Sequence, residues 1–208
     1  MKLYQLVALS LAIAIVPACS KKQPAAVQPP ATFFPLTLGT SWQYQQDSPT
    51  NPFPHTRTVS TSMTLGGTGY FLIYRHWPTF DDTVYYRLAN DRLLQFTGSG
   101  DSVLYDMTVG DNATFYTRRD SVPQPPGSQY YTVLATAMMM HHGETVALDI
   151  GTFSGCIRVH VRVDGTVYDS TGYRYWGRDA HYWYAPDVGL VKYTHSGVST
   201  YLTSYQVR

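Results

Sequence analysis

Hydrophobic and polar residues alternate along much of this chain. In residues 57–65 (RTVSTSMTL), Val59, Met63 and Leu65 share one face of an extended strand, and the opposite face carries only Ser and Thr. A period of two is typical of a strand with one buried and one solvated face. Residues 70–77 (YFLIYRHW) begin with apolar side chains on both faces, as in a covered strand. The pattern therefore predicts successive strands and no helix of any length.

Turn-forming residues separate these runs at short intervals. Residues 66–69 (GGTG), the pair Asn90-Asp91 and the pair Asp164-Gly165 predict hairpin turns, because Gly, Asn and Asp readily adopt the backbone that tight turns require. Residues 141–144 (HHGE) predict a further turn, and residues 120–128, with three prolines, predict a loop. The spacing gives about eleven to thirteen strands joined mostly by short turns.

These strands predict an all-β domain built as an antiparallel meander. An open flat sheet of that size would expose long edges, which curling into a barrel or half-barrel, or folding into a sandwich, would remove. The composition also favours strands over helices. Beyond residue 31, the helix-favouring residues Lys and Glu occur once each, at Lys192 and Glu144, whereas the strand-favouring residues Tyr, Thr and Val are plentiful. Residues 32–208 suit one domain with a proper core.

The first residues have a different pattern. Lys2 precedes an apolar run over residues 6–16, and the small residue Ala18 stands directly before Cys19. A charged start, a short apolar core and a small residue are typical of a secretory signal peptide. As a helix the run would rise only about 16 Å, roughly half of a hydrocarbon core, so we expect no permanent transmembrane span.

The sequence VPAC, which ends at Cys19, resembles the lipobox of bacterial lipoproteins: Leu, a small residue, Gly or Ala, then Cys. Val16 stands in place of the common Leu, and Pro17 is an unusual residue before Ala18. The resemblance implies cleavage before Cys19 and a diacylglycerol on its sulfur, with acyl chains such as palmitate. We therefore expect residues 1–18 to be a lipoprotein signal peptide. The alternative is a soluble secreted protein with an incidental cysteine.

Residues 19–31 (CSKKQPAAVQPPA) predict a lipidated cysteine followed by a flexible tether, because they are rich in Pro, Ala and Gln and lack a hydrophobic period. Two or three acyl chains hold a protein stably at a membrane. We expect an anchor in the bacterial cell envelope. By the rule of enteric bacteria, Ser20 favours the outer membrane, with the domain on its periplasmic or surface face.

The net charge argues against one class of partner, and the cysteine content indicates the state of Cys156. Residues 32–208 contain 12 of the 15 Lys and Arg residues and all 14 Asp and Glu residues. The net charge of about −2 gives no basic face, so we expect no nucleic-acid partner. If Cys19 carries lipid, Cys156 has no partner within the chain, and we expect it to be a free, buried and inert thiol.

Three segments carry a wider resemblance: residues 33–44 (FFPLTLGTSWQY), 151–159 (GTFSGCIRV) and 182–193 (YWYAPDVGLVKY). They resemble a group of bacterial lipoproteins, familiar from Bacteroidota, with the patterns Pro-Leu-x-x-Gly-x-x-Trp-x-Tyr, Gly-x-Phe-x-x-Cys and Tyr-Ala-Pro-x-Val-Gly-Leu-Val. Asp187 stands where a Gly is common. The resemblance implies a curved antiparallel sheet of the LolA/LolB kind and no chemistry. We expect these segments to have structural roles rather than to form a ligand site.

No motif predicts catalysis. Residues 151–155 (GTFSG) differ from the Gly-x-Ser-x-Gly nucleophile elbow, and the glycines of residues 66–69 lack the lysine of a phosphate loop. His141 and His142 could bind one metal ion only on a turn, because neighbours on a strand point to opposite faces. We therefore expect no catalytic residue, no metal site and no cofactor, and we place a hydrolase last among the interpretations.

Aromatic residues between positions 173 and 184 give the best sign of binding, because such rings stack on sugars or line apolar cavities. The candidate ligand-binding residues are Tyr173, Tyr175, Trp176, Tyr182, Trp183 and Tyr184. The alternative is that they only fill strand positions. We expect a non-enzymatic envelope protein that binds a hydrophobic or glycan ligand, or a protein partner, through a curved sheet. A structural or assembly lipoprotein without a small ligand is the second interpretation.

Overall fold

The alternating pattern folds into strands throughout the part of the chain that the structure describes. The computed structural model describes residues 32–47, 53–123, 130–169 and 172–208, so the predictions for residues 1–31, including Cys19, lie outside it. Within those ranges the chain forms twelve strands and no helix. They are β1 (Ser41–Asp47), β2 (Phe53–Leu65), β3 (Thr68–His76), β4 (Asp81–Ala89), β5 (Arg92–Phe96), β6 (Asp101–Asp106), β7 (Ala113–Pro123), β8 (Tyr130–Leu148), β9 (Gly151–Asp169), β10 (Gly172–Ala185), β11 (Gly189–His195) and β12 (Val198–Gln206).

All twelve strands belong to one antiparallel sheet, in the order β6-β5-β4-β3-β2-β1-β12-β11-β10-β9-β8-β7. Strands that follow one another in the chain pair with each other, except β6 and β7, and β1 pairs with β12. The two edge strands, β6 and β7, contact each other without a hydrogen-bonded ladder. The sheet therefore curls into a nearly closed barrel. The predicted all-β meander is confirmed in its barrel form, and the sandwich alternative is not the one observed.

Among the described residues, no helix has the length and apolar character needed to cross a membrane.

Tight turns occur at two of the predicted places. Asn90 and Asp91 have φ angles of 52° and 59° and join β4 to β5. Two successive residues with positive φ are typical of the type I′ hairpin turn. Gly66 and Gly67 join β2 to β3. These two predicted hairpins are confirmed.

Two other predicted turns are wrong. Residues 141–144 lie inside β8, where the ladder with β9 changes register around His141 and Glu144 and then continues. Gly143, within this segment, belongs to a bulge, which bends a strand without ending it. Asp164 and Gly165 lie inside β9, opposite Trp176 of β10. A Cβ atom on Gly165 would lie 2.1 Å from the Trp176 ring, so this glycine makes room for an indole on the neighbouring strand.

The core forms around Trp42 at the start of β1. Trp42 is 0% exposed, and its ring centroid lies 4.9 Å from that of Phe34, which precedes the strand. Trp42 Nε1 donates a hydrogen bond to the Val188 carbonyl at 2.5 Å, and the Tyr44 hydroxyl donates to the Leu190 carbonyl at 2.8 Å. These bonds join β1 to the loop before β11 and to β11 itself, so the first strand is fixed to the C-terminal part of the meander.

The three segments that carry the family resemblance meet in this region. Gly189 has a φ of 105°, and a Cβ there would lie 3.1 Å from Trp42 Nε1, so a glycine is required both by the backbone and by the close indole. Pro186 lies against Gly155 in the same way, at 3.5 Å from where a Cβ would stand. The segments 33–44, 151–159 and 182–193 therefore have structural roles here. The third segment also supplies side chains to the barrel interior, namely Tyr182, Tyr184, Leu190 and Tyr193.

Asp187, at the position where the resemblance has a Gly, retains the left-handed backbone with a φ of 57°. Its amide donates to the Thr32 carbonyl at 2.7 Å, and its carboxylate accepts from the Thr32 amide at 3.0 Å. Asp tolerates this backbone better than most residues because its short polar side chain bonds locally. The substitution thus leaves the turn in place.

Cys156 is fully buried, as expected, and it is a free thiol. The ladder between β8 and β9 is irregular between Glu144 and Val146, which brings both Cys156 and Ile157 into the core. The Cys156 thiol donates to the Phe153 carbonyl at 3.4 Å. Burial raises the pKa of this thiol to about 11, so it is protonated and poorly nucleophilic at neutral pH.

Candidate functional site

The inner face of the barrel surrounds a cavity of about 360 Å³. Its aromatic lining residues are Trp77, Tyr86, Tyr116, Tyr182, Tyr184 and Tyr193. Its aliphatic ones are Val103, Leu104, Ala135, Ala137, Val161 and Leu190, and its polar ones are Arg57, Arg75, Gln95, Ser102 and Thr136. Cavities that bind small molecules measure about 300–1,000 Å³ and combine apolar walls with a few polar groups. This cavity has the size and the lining of a site for a small ligand.

A row of charged side chains crosses the inner face of β2, β3 and β4. The register pairs Arg57 with Arg75 and Arg75 with Asp82, so the three residues are direct cross-strand neighbours. Side chains at such positions lie on the same face of the sheet. The row therefore contains two cations and one anion.

Arg75 and Asp82 neutralise each other. Arg75 Nε donates to one carboxylate oxygen of Asp82 at 2.7 Å, and its Nη2 donates to the other oxygen. This two-point geometry is the strongest form of an arginine–carboxylate pair. The pairing leaves Arg57 as the cation of the row without an anionic neighbour.

Arg57 is only 8% exposed and lines the cavity. Its guanidinium carbon lies 5.0 Å from the ring centroid of Tyr44 and 5.8 Å from that of Tyr193. Among the described residues, no carboxylate forms an ion pair with it, and its buried Nε has no hydrogen-bond acceptor. Stacking on aromatic faces stabilises the cation in part, but it does not neutralise the charge.

The tyrosines around Arg57 carry no negative charge at neutral pH. Burial raises the pKa of Tyr44, Tyr182 and Tyr184 above the ordinary value of 10.0. Phenols with such pKa values remain protonated below pH 10. Because the described lining also contains no Asp or Glu, the positive charge of Arg57 has no counter-charge on the cavity wall.

His55 lies beside this cation but does not add a second charge. It is 2% exposed, with its ring stacked 4.9 Å from Tyr44 and 3.9 Å from Trp77. Burial lowers its pKa to about 3, with smaller contributions from the charges of Arg57 and Arg75. His55 is therefore neutral at physiological pH.

The six aromatic candidates do not form one site. Tyr182 and Tyr184 line the cavity. Trp183, between them on β10, donates from Nε1 to Glu144 at 2.7 Å and is not among the lining residues. Tyr175 is 78% exposed, and Trp176 covers Gly165 on the neighbouring strand. The side chain of Tyr173 is outside the described part of the structure.

Arg57, which gives the cavity its charge, and His55 beside it were not among the predicted site residues. Both lie on the same face of β2 as Val59, which is fully buried. The alternation of residues along β2 could have revealed them, because residues 55, 57 and 59 of one strand share a face and Val59 is a core residue.

The histidine-rich segment of β8 lies on the outside. His142 Nδ1 is 2.5 Å from an Asp111 carboxylate oxygen, and His141 Nδ1 is 3.9 Å from the other oxygen. Across the described ranges, no three His, Cys, Asp or Glu side chains are grouped so that they could hold a metal ion.

No protein-family model and no curated protein matches the chain. Among solved structures, the crystal structure of a predicted lipoprotein from Parabacteroides distasonis matches with a TM-score of 0.54 and 15% identity, over 86% of this chain and 100% of that one. A predicted exported protein with a YmcC-like fold from Bacteroides fragilis matches with a TM-score of 0.47 and 13% identity, over 85% of this chain and 99% of that one. At such identities, the first match shows a shared fold and nothing further.

Proposed function

We propose that this protein is a non-enzymatic lipoprotein of the bacterial cell envelope whose barrel interior binds a small ligand with an apolar body. The observation that carries the proposal is the aromatic-lined cavity of about 360 Å³ inside the barrel. Small barrels either fill their interior with side chains or hold one small ligand there. A cavity of this size, with a buried arginine at its wall, fits the second case.

The sequence supports the envelope location. Residues 1–18 have the pattern of a signal peptide, VPAC resembles a lipobox, and residues 20–31 have the composition of a tether. The structural neighbour from Parabacteroides distasonis, itself a predicted lipoprotein, is consistent with this address. Lipid on Cys19 would anchor the domain, and Ser20 favours the outer membrane.

The chemistry of the cavity supports binding over catalysis. The described lining contains one serine, Ser102, whose hydroxyl could in principle act as a nucleophile. It contains no His, Cys, Asp or Glu that could act as a general base or a general acid. An interior cavity walled by six aromatic rings favours a small hydrophobic molecule over a glycan chain or a protein partner, which need an open groove.

Replacing Cys19 with serine is expected to move the protein from the membrane fraction to the soluble fraction, because serine has no thiol to carry the diacylglycerol. Cell fractionation with immunoblotting measures the distribution. Cys156→Ser is the matched control and should remain with the membrane, since that thiol lies in the core. Membrane association of the Cys19→Ser protein would contradict the anchor.

The binding proposal is tested by purifying the protein from native membranes and identifying bound small molecules by mass spectrometry. The variant Ala135→Phe adds a ring at the cavity wall, and Leu88→Phe adds one at an exposed position as the control. We expect a bound molecule in the wild type and in Leu88→Phe, with at least about fivefold less in Ala135→Phe, because the added ring occupies the cavity. Equal recovery from both variants, or no bound molecule in the wild type, would refute the proposal.

A further inference from the structure

We infer that the ligand of the barrel interior carries a carboxylate group, which Arg57 binds. The inference deepens the proposed function and rests on it, because it assigns the polar end of the molecule whose apolar body fills the cavity.

The first support is the charge of the cavity wall. Arg57 is more than nine-tenths buried, lines the cavity and has no anionic partner among the described residues. Its cross-strand neighbour is another arginine, Arg75, whose charge is already compensated by Asp82. Like charges directly opposite each other destabilise a sheet, and a buried charge without a partner is costly. An anion bound at Arg57 relieves both costs.

The second support is the geometry of the donor. The guanidinium lies over the rings of Tyr44 and Tyr193, and its Nε has no acceptor among the described residues. A planar guanidinium with free donors matches a carboxylate through two parallel hydrogen bonds.

The third support is the number of charges. One uncompensated cation balances one negative charge, as a carboxylate has at neutral pH. A phosphate monoester has a charge of about −1.5 to −2 and would leave excess negative charge in a buried site. The aliphatic and aromatic walls around Leu104, Val161 and Tyr184 fit an alkyl or aryl body. The inferred ligand is therefore a small amphiphilic monocarboxylate.

The test compares molecules that share one chain and differ in the head group: octanoate, 1-octanol, octylammonium and octyl phosphate. Isothermal titration calorimetry at pH 7.4 measures their binding to the full lipoprotein in lipid nanodiscs, with empty nanodiscs as the blank. We expect octanoate to bind most tightly. Octylammonium should bind more weakly than octanol, because Arg57 repels it.

The variant Arg57→Met keeps the length of the side chain and removes the charge. We expect it to weaken octanoate binding at least about tenfold and to change octanol binding less than about threefold. Because it removes a buried uncompensated charge, its thermal unfolding midpoint should not fall below that of the wild type. Arg57→Lys keeps the charge without the planar donor and should give an intermediate loss. The exposed Arg178→Met is the matched control and should bind octanoate like the wild type.

Equal affinity for octanoate and octanol, with no effect of Arg57→Met on either, would overturn the carboxylate assignment and leave the cavity as an apolar site. Tighter binding of octyl phosphate than of octanoate would also overturn it. If none of the four molecules binds, the inference fails, and the search for molecules that co-purify decides separately whether the proposed function fails with it. The head-group comparison uses the wild type alone, so a variant that does not fold leaves the test intact.

Discussion

Replacing Trp42 with alanine is expected to lower the free energy of unfolding by about 3–5 kcal/mol. The side chain is fully buried, packs on Phe34 and donates to the Val188 carbonyl, so its removal leaves both a large void and an unsatisfied acceptor. It also removes a link between the first strand and the loop before β11. Urea unfolding monitored by circular dichroism measures the change.

Trp176→Ala is the control for this substitution, because that indole is partly exposed and lies against Gly165 and Arg178. We expect it to cost no more than about 1 kcal/mol, which is the typical cost of a single substitution. A similar loss for both variants would mean that the region around Trp42 is not the centre of the core.

Acidification from pH 7 to pH 5 is expected to destabilise the protein by about 2 kcal/mol through His55 alone. Burial lowers the pKa of this histidine from 6.5 to about 3 in the folded state. Between these values the unfolded chain binds more protons than the folded one, so stability is fully present above pH 6.5 and is lost as the pH falls toward 3. Arg57 and Tyr44, which face the ring, do not change charge in this window.

Unfolding by urea at pH 7 and pH 5 measures this effect in the wild type and in His55→Phe. Phenylalanine preserves the stacking between Tyr44 and Trp77 but cannot be protonated, so the part of the pH dependence that comes from His55 should disappear. The exposed His195→Gln serves as the matched control and should keep it. An unchanged loss of stability in His55→Phe would show that other groups cause the acid sensitivity.

The sequence was sufficient to predict the fold class because the signal is local. Runs such as residues 57–65 and turn pairs such as Asn90-Asp91 correctly predicted a strand and a hairpin. The predicted buried face of residues 57–65 is wrong beyond Val59, because a bulge between Val59 and Thr61 shifts the register and Met63 is exposed. The failures at Gly143 and Gly165 have one cause. A glycine that forms a bulge or makes room for a ring has the same local sequence as a glycine in a turn, and only the neighbouring strand distinguishes them.

The cavity could not be predicted in the same way, because its lining comes from strands on every side of the barrel. Arg57 is in phase with the buried Val59, but an arginine on an alternating strand is ordinarily assigned to the solvated face. Arg57 lacks a counter-charge because the register places Arg75 opposite it and because Asp82 pairs with Arg75. Tyr182 and Tyr184 were among the candidate residues and line the cavity, whereas Trp183, between them on β10, does not. The local sequence contains no feature that separates the three.

A crystal structure of the protein with 8-bromooctanoate tests the central claim most directly, because the bromine is located by its anomalous signal. We expect the bromine inside the barrel among the aromatic walls, with the carboxylate oxygens about 3 Å from the Arg57 guanidinium. Bromine found only on the outer face, for instance beside the exposed Tyr175, with Arg57 free of any bound carboxylate, would contradict the claim that the barrel interior is the binding site.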